Sequence, residues 1–275
     1  MVTNNKILIL TSGNVDKLEE FKNFENVVVG SFLDINYNSD SNDLKFKETS
    51  LKEFQVIYFR LVGKSLEIAT LVANFALRND IKLVDKLYSN TLLMPISLAK
   101  SIEMRKLYES GISIPRTVFG DFSSMQFPYI VKSTSGQKAK EVWLVKTLEE
   151  LDTLKSTKFE KGKYYFAQAL VPNARRIRAL IVGDNVIGAI VRHTKWNKDH
   201  TKQTLMPVPE DVANLARSAA KAVGLNISGV DILVNSETNE MFVIEANAAP
   251  AWKLINKYCN VSVADEIIKY LQTKI

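Results

Sequence analysis

The stretch GVDILVNSETNEMFVIEANAAPAW, residues 229–252, decides how the chain is read. Two apolar runs flank a polar turn, as in a β-hairpin, yet each run carries a carboxylate where a buried strand would have none. Strand alternation puts Val230, Ile232 and Val234 on one face and Asp231, Leu233 and Asn235 on the other. The same count puts Met241, Val243, Glu245 and Asn247 together. If a three-residue loop at 237–239 joins the strands, Ser236 pairs with Glu240 and Asp231 lies opposite Glu245. Two opposed carboxylates repel, and a partly buried pair needs positive charge between or beside it. Magnesium prefers hard oxygen ligands, so Asp231, Glu245 and the amide oxygen of Asn247 form a plausible ligand set. A water-exposed strand face, or Lys and Arg neighbours that neutralise the pair, would explain the same residues.

Working outward, strands and helices alternate in the N-terminal third: KILIL, DKLEEFKNF, NVVVG, EFQVIYFR, SLEIATLVANFAL and IKLV. That order predicts a small parallel α/β unit, with the polar segment 36–50 as a surface loop. A long amphipathic pattern over 85–111 predicts a helix, with Asn90 as N-cap and Gly111 just past its end. The signals then turn antiparallel. FPYIVKS and KEVWLVK form one pair, YYFAQALV follows, and RIRALIVG and VIGAIVRH are joined by a tight turn at Gly183-Asp184-Asn185. A helix is expected over 209–223, with Pro209 at its start and Gly224 past its end, and VADEIIKYLQ closes the chain as another helix.

The 275 residues are 46% hydrophobic and 24% charged, enough for real cores and unlike a disordered chain. The one cysteine, Cys259, excludes an internal disulfide and a cysteine-cluster metal site. The first apolar run is too short for a signal-peptide core or a membrane span, so a soluble cytoplasmic protein with no membrane partner is expected. The net charge of +6 favours acidic partners without naming them, and no nucleic-acid-binding module is recognisable.

The order of motifs in the C-terminal two thirds resembles the ATP-grasp superfamily, most closely its RimK-type carboxylate–amine ligases. The motifs are the Asp85-Lys86-Leu87 start, Tyr129-Ile130-Val131-Lys132, Gln168-Ala169-Leu170-Val171, and Ile177-Arg178 with its hairpin partner ending in Arg192. Gly229-Val230-Asp231-Ile232-Leu233 and the Glu245, Asn247, Pro250 spacing complete the series. The resemblance implies two α+β subdomains that hold ATP between them, at 85–166 and 167–275, behind a small parallel α/β domain at 1–84. It implies ATP with magnesium, or manganese in its place, and an amide formed between a carboxylate and an amine. The partner would be an amino acid or an acidic peptide or protein tail; a homo-oligomer is compatible with this reading. Lys132 and Lys86 would meet phosphates, Gln168, Ala169 and Leu170 the adenine, and Arg178 and Arg192 the charge on the transferred group. Asp231, Glu245 and Asn247 would hold the metal. Four features depart from the family pattern: residues 133–140 offer one glycine where two or three are usual, Ala169 stands where an acid usually follows the Gln, Arg176 replaces an acid, and the loop 194–202, in which Trp196 matches in type, lacks the usual glycines. A catalytically impaired nucleotide- or peptide-binding protein is therefore the alternative.

Overall fold

The computed structural model describes residues 6–38, 43–89, 99–134, 141–192, 194–196 and 203–275. Its first sheet is parallel, in the order β2-β1-β6-β7, built from β1 (Lys6–Thr11), β2 (Val27–Ser31), β6 (Phe54–Leu61) and β7 (Lys82–Val84). Ile7 to Leu10 are fully buried, as an unbroken apolar run covered on both faces should be. Helix α1 (Leu66–Arg78) joins β6 to β7, and Val15–Phe21 is a 3₁₀ segment whose Phe21 is buried.

The polar tract 36–50 is not simply a loop. Strands β3 (Ile35–Asn38), β4 (Asp43–Phe46) and β5 (Thr49–Ser50) form a small antiparallel sheet. Leu44 and Phe46 are buried, and Phe46 rests against Gly30, where an added Cβ would lie 2.2 Å from the ring. Two anchoring side chains sufficed to fold a segment whose composition reads as turn.

The expected helix over 85–111 is shorter. One helical turn spans Lys86–Ser89, and helix α2 runs over Lys100–Glu109. Asn90 lies outside the described residues, and Ala99 occupies the N-cap position of α2. Gly111 does follow the helix, in the left-handed region at φ 72°. An antiparallel sheet in the order β10-β9-β11-β8 comes next, from β8 (Thr117–Phe119), β9 (Tyr129–Ser133), β10 (Val142–Val145) and β11 (Tyr165–Ala169). Helix α3 (Leu148–Lys158) covers it with Leu151 and Leu154.

The largest sheet is antiparallel, in the order β14-β13-β12-β15-β16. Its strands are β12 (Ala174–Val182), β13 (Asn185–Arg192), β14 (Gln203–Thr204), β15 (Ile227–Asn235) and β16 (Met241–Asn247). Gly183, at φ 62°, opens the two-residue turn between β12 and β13, where a side chain would be strained. Helix α4 (Glu210–Val223) packs on one face of this sheet and ends at Gly224, φ 79°. Helices α5 (Lys253–Cys259) and α6 (Val263–Gln272) cover part of the other. The α4 face shares one core with the N-terminal sheet, in which Leu8, Phe59 and Val72 join Ile177, Val230 and Ile232. Among the described residues no helix is long and apolar enough to cross a membrane.

Candidate active site

The register of β15 and β16 places the two carboxylates. Asp231 pairs with Glu245 and Gly229 with Asn247, as the assumed loop requires. Nearer the turn the register differs by one residue, since Val234 pairs with Met241 and the strands are joined by residues 236–240. A bulge at Ile244 absorbs the difference. It also separates residues that strict alternation would unite: Val243 pairs with Ile232 in the core, whereas Glu245 and Asn247 turn to the opposite face with Asp231. One extra residue thus re-aims the acids out of the core.

That face is rich in charge. Asp231 is fully buried, and Arg178, its cross-strand neighbour, grips it in a forked pair: Nε donates to Oδ1 at 2.8 Å and Nη2 to Oδ2 at 2.6 Å. Arg176, two residues back on β12, donates a further hydrogen bond from Nη2 to Oδ2. Burial would push the Asp231 carboxyl up, but the Arg176 and Arg178 guanidiniums more than offset that and hold it at about 2. Glu245 Oε1 accepts from Lys100 Nζ at 2.9 Å, and the same ammonium donates to Glu103 Oε2 at 2.8 Å. Glu103 is buried at 1% exposure, and its Oε1 accepts the Ala246 N–H beside the bulge at 2.5 Å.

The small sheet contributes Lys132 and Gln168. Lys132 Nζ donates to Gln168 Oε1 at 2.5 Å, and Gln168 Nε2 donates to Thr117 Oγ1 at 3.0 Å. Burial, then the nearby Lys100 charge, push the Lys132 ammonium down to about 8, with Glu245 and Glu103 pulling the other way and Arg176 adding to the fall. Lys132 therefore stands within electrostatic reach of the large sheet's cluster. Ala169 gives its N–H to the Arg116 carbonyl at 2.8 Å, and Leu170 follows at the exit of β11. Arg192 ends β13 opposite Arg176, and burial followed by the Arg176 and Arg178 charges lower its pKa.

Lys86 is not brought to this cluster. Its side chain is exposed, and its backbone N–H donates to Asn226 Oδ1 at 3.1 Å beside the start of β15. Lys100, by contrast, reaches the cluster through Glu245 and Glu103. Lys100, Glu103 and the Arg176 contact went unrecognised in the sequence, although an i, i+3 Lys–Glu pair on an amphipathic helix was there to be read. Among the described residues, five cations, Lys100, Lys132, Arg176, Arg178 and Arg192, surround three carboxylates, Glu103, Asp231 and Glu245, a surplus of two positive charges. Such a surplus suits a polyphosphate anion.

The donor set fits a hard divalent cation. Asp231 and Glu245 oppose each other, Asn247 adds an amide oxygen on the same face, and all the donors are oxygens. Lys and Arg neighbours neutralise both carboxylates in this structure, so a cation would share or displace contacts already made. The Asn247 Oδ1 accepts the Ala249 N–H at 2.8 Å, which fixes the amide without using all its lone pairs. Residues 135–140, with the glycine-poor segment and its Lys138 and Lys140, lie outside the described residues.

A small antiparallel sheet bearing Lys132, set near a larger one bearing opposed carboxylates and arginines, defines the nucleotide-grasping class of folds. The family profile for the RimK-like ATP-grasp domain matches residues 84–271, and the chain belongs to that family. It is 33% identical over 150 residues to the tetrahydromethanopterin:alpha-L-glutamate ligase of Methanococcus maripaludis, covering 50% of each protein. It is 25% identical over 255 residues to the ribosomal protein bS6–L-glutamate ligase of Escherichia fergusonii, covering 86% of this chain and 83% of that one. Across the curated relatives first matched, the chain spans about half of their length, 50%, 64% and 39%. Among solved structures, the ATP-grasp ligase PsnB with its minimal precursor superposes at a TM-score of 0.73, with 16% identity over 99% of this chain and 100% of that one. PsnB complexed with a phosphomimetic precursor variant, Mg and ADP superposes at 0.71, with 15% identity over 98% of each chain. These likenesses establish the ATP-grasp fold.

Proposed function

We propose that the protein is an ATP-dependent, ADP-forming ligase that activates a carboxylate as an acyl phosphate and joins it to an amine as an amide. The observation that carries this reading is the opposed Asp231–Glu245 pair within a cluster of surplus positive charge drawn from two sheets. In the first step a substrate carboxylate oxygen attacks the γ-phosphorus, the bond to the β,γ-bridging oxygen breaks, and ADP leaves. In the second the amine nitrogen attacks the acyl carbon, phosphate departs, and the nitrogen's proton passes to solvent. No covalent enzyme intermediate is needed, so the residues act by position and charge.

Gln168, Ala169 and Leu170 border the adenine, and Lys132 and Lys100 neutralise the phosphates as point charges. Arg192 and Arg178 face the charge that grows on the transferred group. Asp231, Glu245 and Asn247 hold magnesium, which manganese can replace. When bound, the cation supplies neutralisation of phosphate charge. The roles follow three units, residues 1–84 toward the substrate, 85–166 over the nucleotide and 167–275 beneath it with the metal. The relatives' names as glutamate ligases, together with the basic cluster, support glutamate or an acidic peptide or protein tail as the substrate class.

The test is release of ADP and phosphate from ATP and magnesium with pooled amino acids and acidic peptides, followed by mass spectrometry of the pool. Substrate-dependent ADP release with a condensed product is expected. Glu245→Gln should abolish it with an unchanged circular dichroism spectrum. Nucleotide binding without turnover across the pool would overturn the ligase in favour of a binding protein.

A further inference from the structure

Two arginines share one buried carboxylate, and they do so unequally. Arg178 engages both oxygens of Asp231 in a forked pair, and its side chain is 14% exposed. Arg176 adds a single donor to Oδ2, an oxygen Arg178 already occupies, and its side chain is 26% exposed. The Arg176 Nε is buried and has no partner among the described residues, so the guanidinium is only partly satisfied by them where it lies. Its cross-strand neighbour is Arg192, a like charge, and its charge also reaches Lys132. Arg176 therefore stands between an anion it shares and cations that repel it, facing the space in which a polyphosphate would be neutralised.

From this geometry, and resting on the ligase reading above, we propose that Arg176 is a latch linked to the nucleotide. In the free protein it fills one acceptor position on Asp231 Oδ2, the other being held by Arg178; when a polyphosphate enters, it moves to the phosphate oxygens and opens that one position to a divalent cation. The polyphosphate offers Arg176 acceptors for the donor left unpaired on Asp231, and relieves its repulsion from Arg192 and Lys132. Asp231 meanwhile stays ionised and oriented by Arg178. Nucleotide and metal then bind with positive coupling, because each favours the same position of one side chain. The latch makes metal binding weak until nucleotide is present, and the cation enters as a nucleotide complex or after it.

The experiment measures the manganese dissociation constant by electron paramagnetic resonance of the free ion, with and without a non-hydrolysable ATP analogue and with no turnover. The proteins are the full chain, Arg176→Ala, Arg176→Gln and Asp231→Asn, each checked for folding by circular dichroism. In the parent chain the analogue should tighten manganese binding at least about tenfold, within the usual range of coupling between sites. In Arg176→Ala and Arg176→Gln manganese alone should bind several-fold tighter than in the parent, and the coupling should shrink toward unity. Unchanged or weaker binding of manganese alone in both variants would overturn the latch while leaving the metal site standing. A parent chain that binds no manganese even with the analogue, or an Asp231→Asn variant that binds it as well as the parent, would overturn the metal-site reading and the latch with it.

Discussion

Glu103 is the residue whose removal should disturb the site most without touching a ligand. It is 1% exposed, and its two oxygens join two elements: Oε2 takes Lys100 Nζ at 2.8 Å on its own helix, and Oε1 takes the Ala246 N–H at 2.5 Å on β16. Burial pushes its carboxyl pKa up, and the Lys100 ammonium opposes that. Glu103→Ala strands the Ala246 N–H, a loss of about 1–3 kcal/mol for a buried unsatisfied donor. It also leaves Lys100 with Glu245 alone, and breaking a buried ion pair costs about 3–5 kcal/mol. The two costs overlap because one carboxylate makes both contacts, so about 4 kcal/mol is the working figure. With a urea m-value of about 2–3 kcal/mol/M, the unfolding midpoint should fall by about 1.5 M. Glu103→Gln keeps an acceptor for Ala246 and should lose only about 1–2 kcal/mol, the difference between a charged and a neutral hydrogen bond. The assay is urea unfolding followed by far-ultraviolet circular dichroism, paired with nucleotide affinity by calorimetry. A Glu103→Ala protein destabilised by less than about 1 kcal/mol with parental nucleotide affinity would refute the argument that this acid supports both Lys100 and the bulge.

Three further outcomes are expected. Lys132 titrates near 8 because burial and Lys100 disfavour its charge, so it is cationic below that pH and neutral above it; ATP affinity should fall by about tenfold per unit above pH 8, and Lys132→Arg should flatten the profile, as binding calorimetry would show. Lys100→Ala should weaken nucleotide binding by about tenfold or more, the worth of a charge-assisted contact, while Lys86→Ala should leave the dissociation constant unchanged; equal effects would reverse the assignment. A Cβ on Gly229 would lie 2.8 Å from the Pro250 Cβ, so Gly229→Ala should displace the segment after Asn247 and lower magnesium-dependent turnover more than nucleotide affinity, as steady-state kinetics beside calorimetry would reveal.

How much of this was legible depended on range. Elements with strong local signals, such as β1, β12, α4 and α6, formed where periodicity and turn residues put them. The Asp231–Glu245 register was legible too, although the reason differs from the one assumed: the loop is longer, and Ile244 bulges to restore the pairing. What stayed hidden was non-local. Lys100 meets Glu245 across 145 residues and Arg176 meets Asp231 across 55, and no spacing rule announces such contacts. The antiparallel strands at 35–50 were masked by their polar composition, because only Leu44 and Phe46 supply buried anchors within β4. Lys86 drew attention because it follows Asp85 in a motif position, yet Asp85 itself is the residue held tightly, accepting the Asn226 and Ile227 N–H groups at 2.7 and 2.8 Å.

Arg60 shows how the N-terminal unit bears on the site. A strand-end arginine could be read as meeting an acidic substrate, but here its Nη2 donates to the Pro250 carbonyl at 2.7 Å and its guanidinium lies 4.2 Å from the Trp252 ring centroid. Trp252 in turn donates from Nε1 to Glu20 at 2.7 Å and meets Phe21 edge-on at 5.9 Å. On its other side Pro250 packs against Gly229, the residue paired with Asn247. The segment that follows the two metal-ligand candidates on β16 is therefore clamped between the first domain's β6 and the large sheet's β15. A loop held only by its own backbone would let Asn247 and Glu245 drift, and a displacement of about 1 Å at such a centre can cost about a hundredfold in rate. Through Arg60, Glu20 and Phe21 the first domain thus fixes the backbone from which the candidate ligands project.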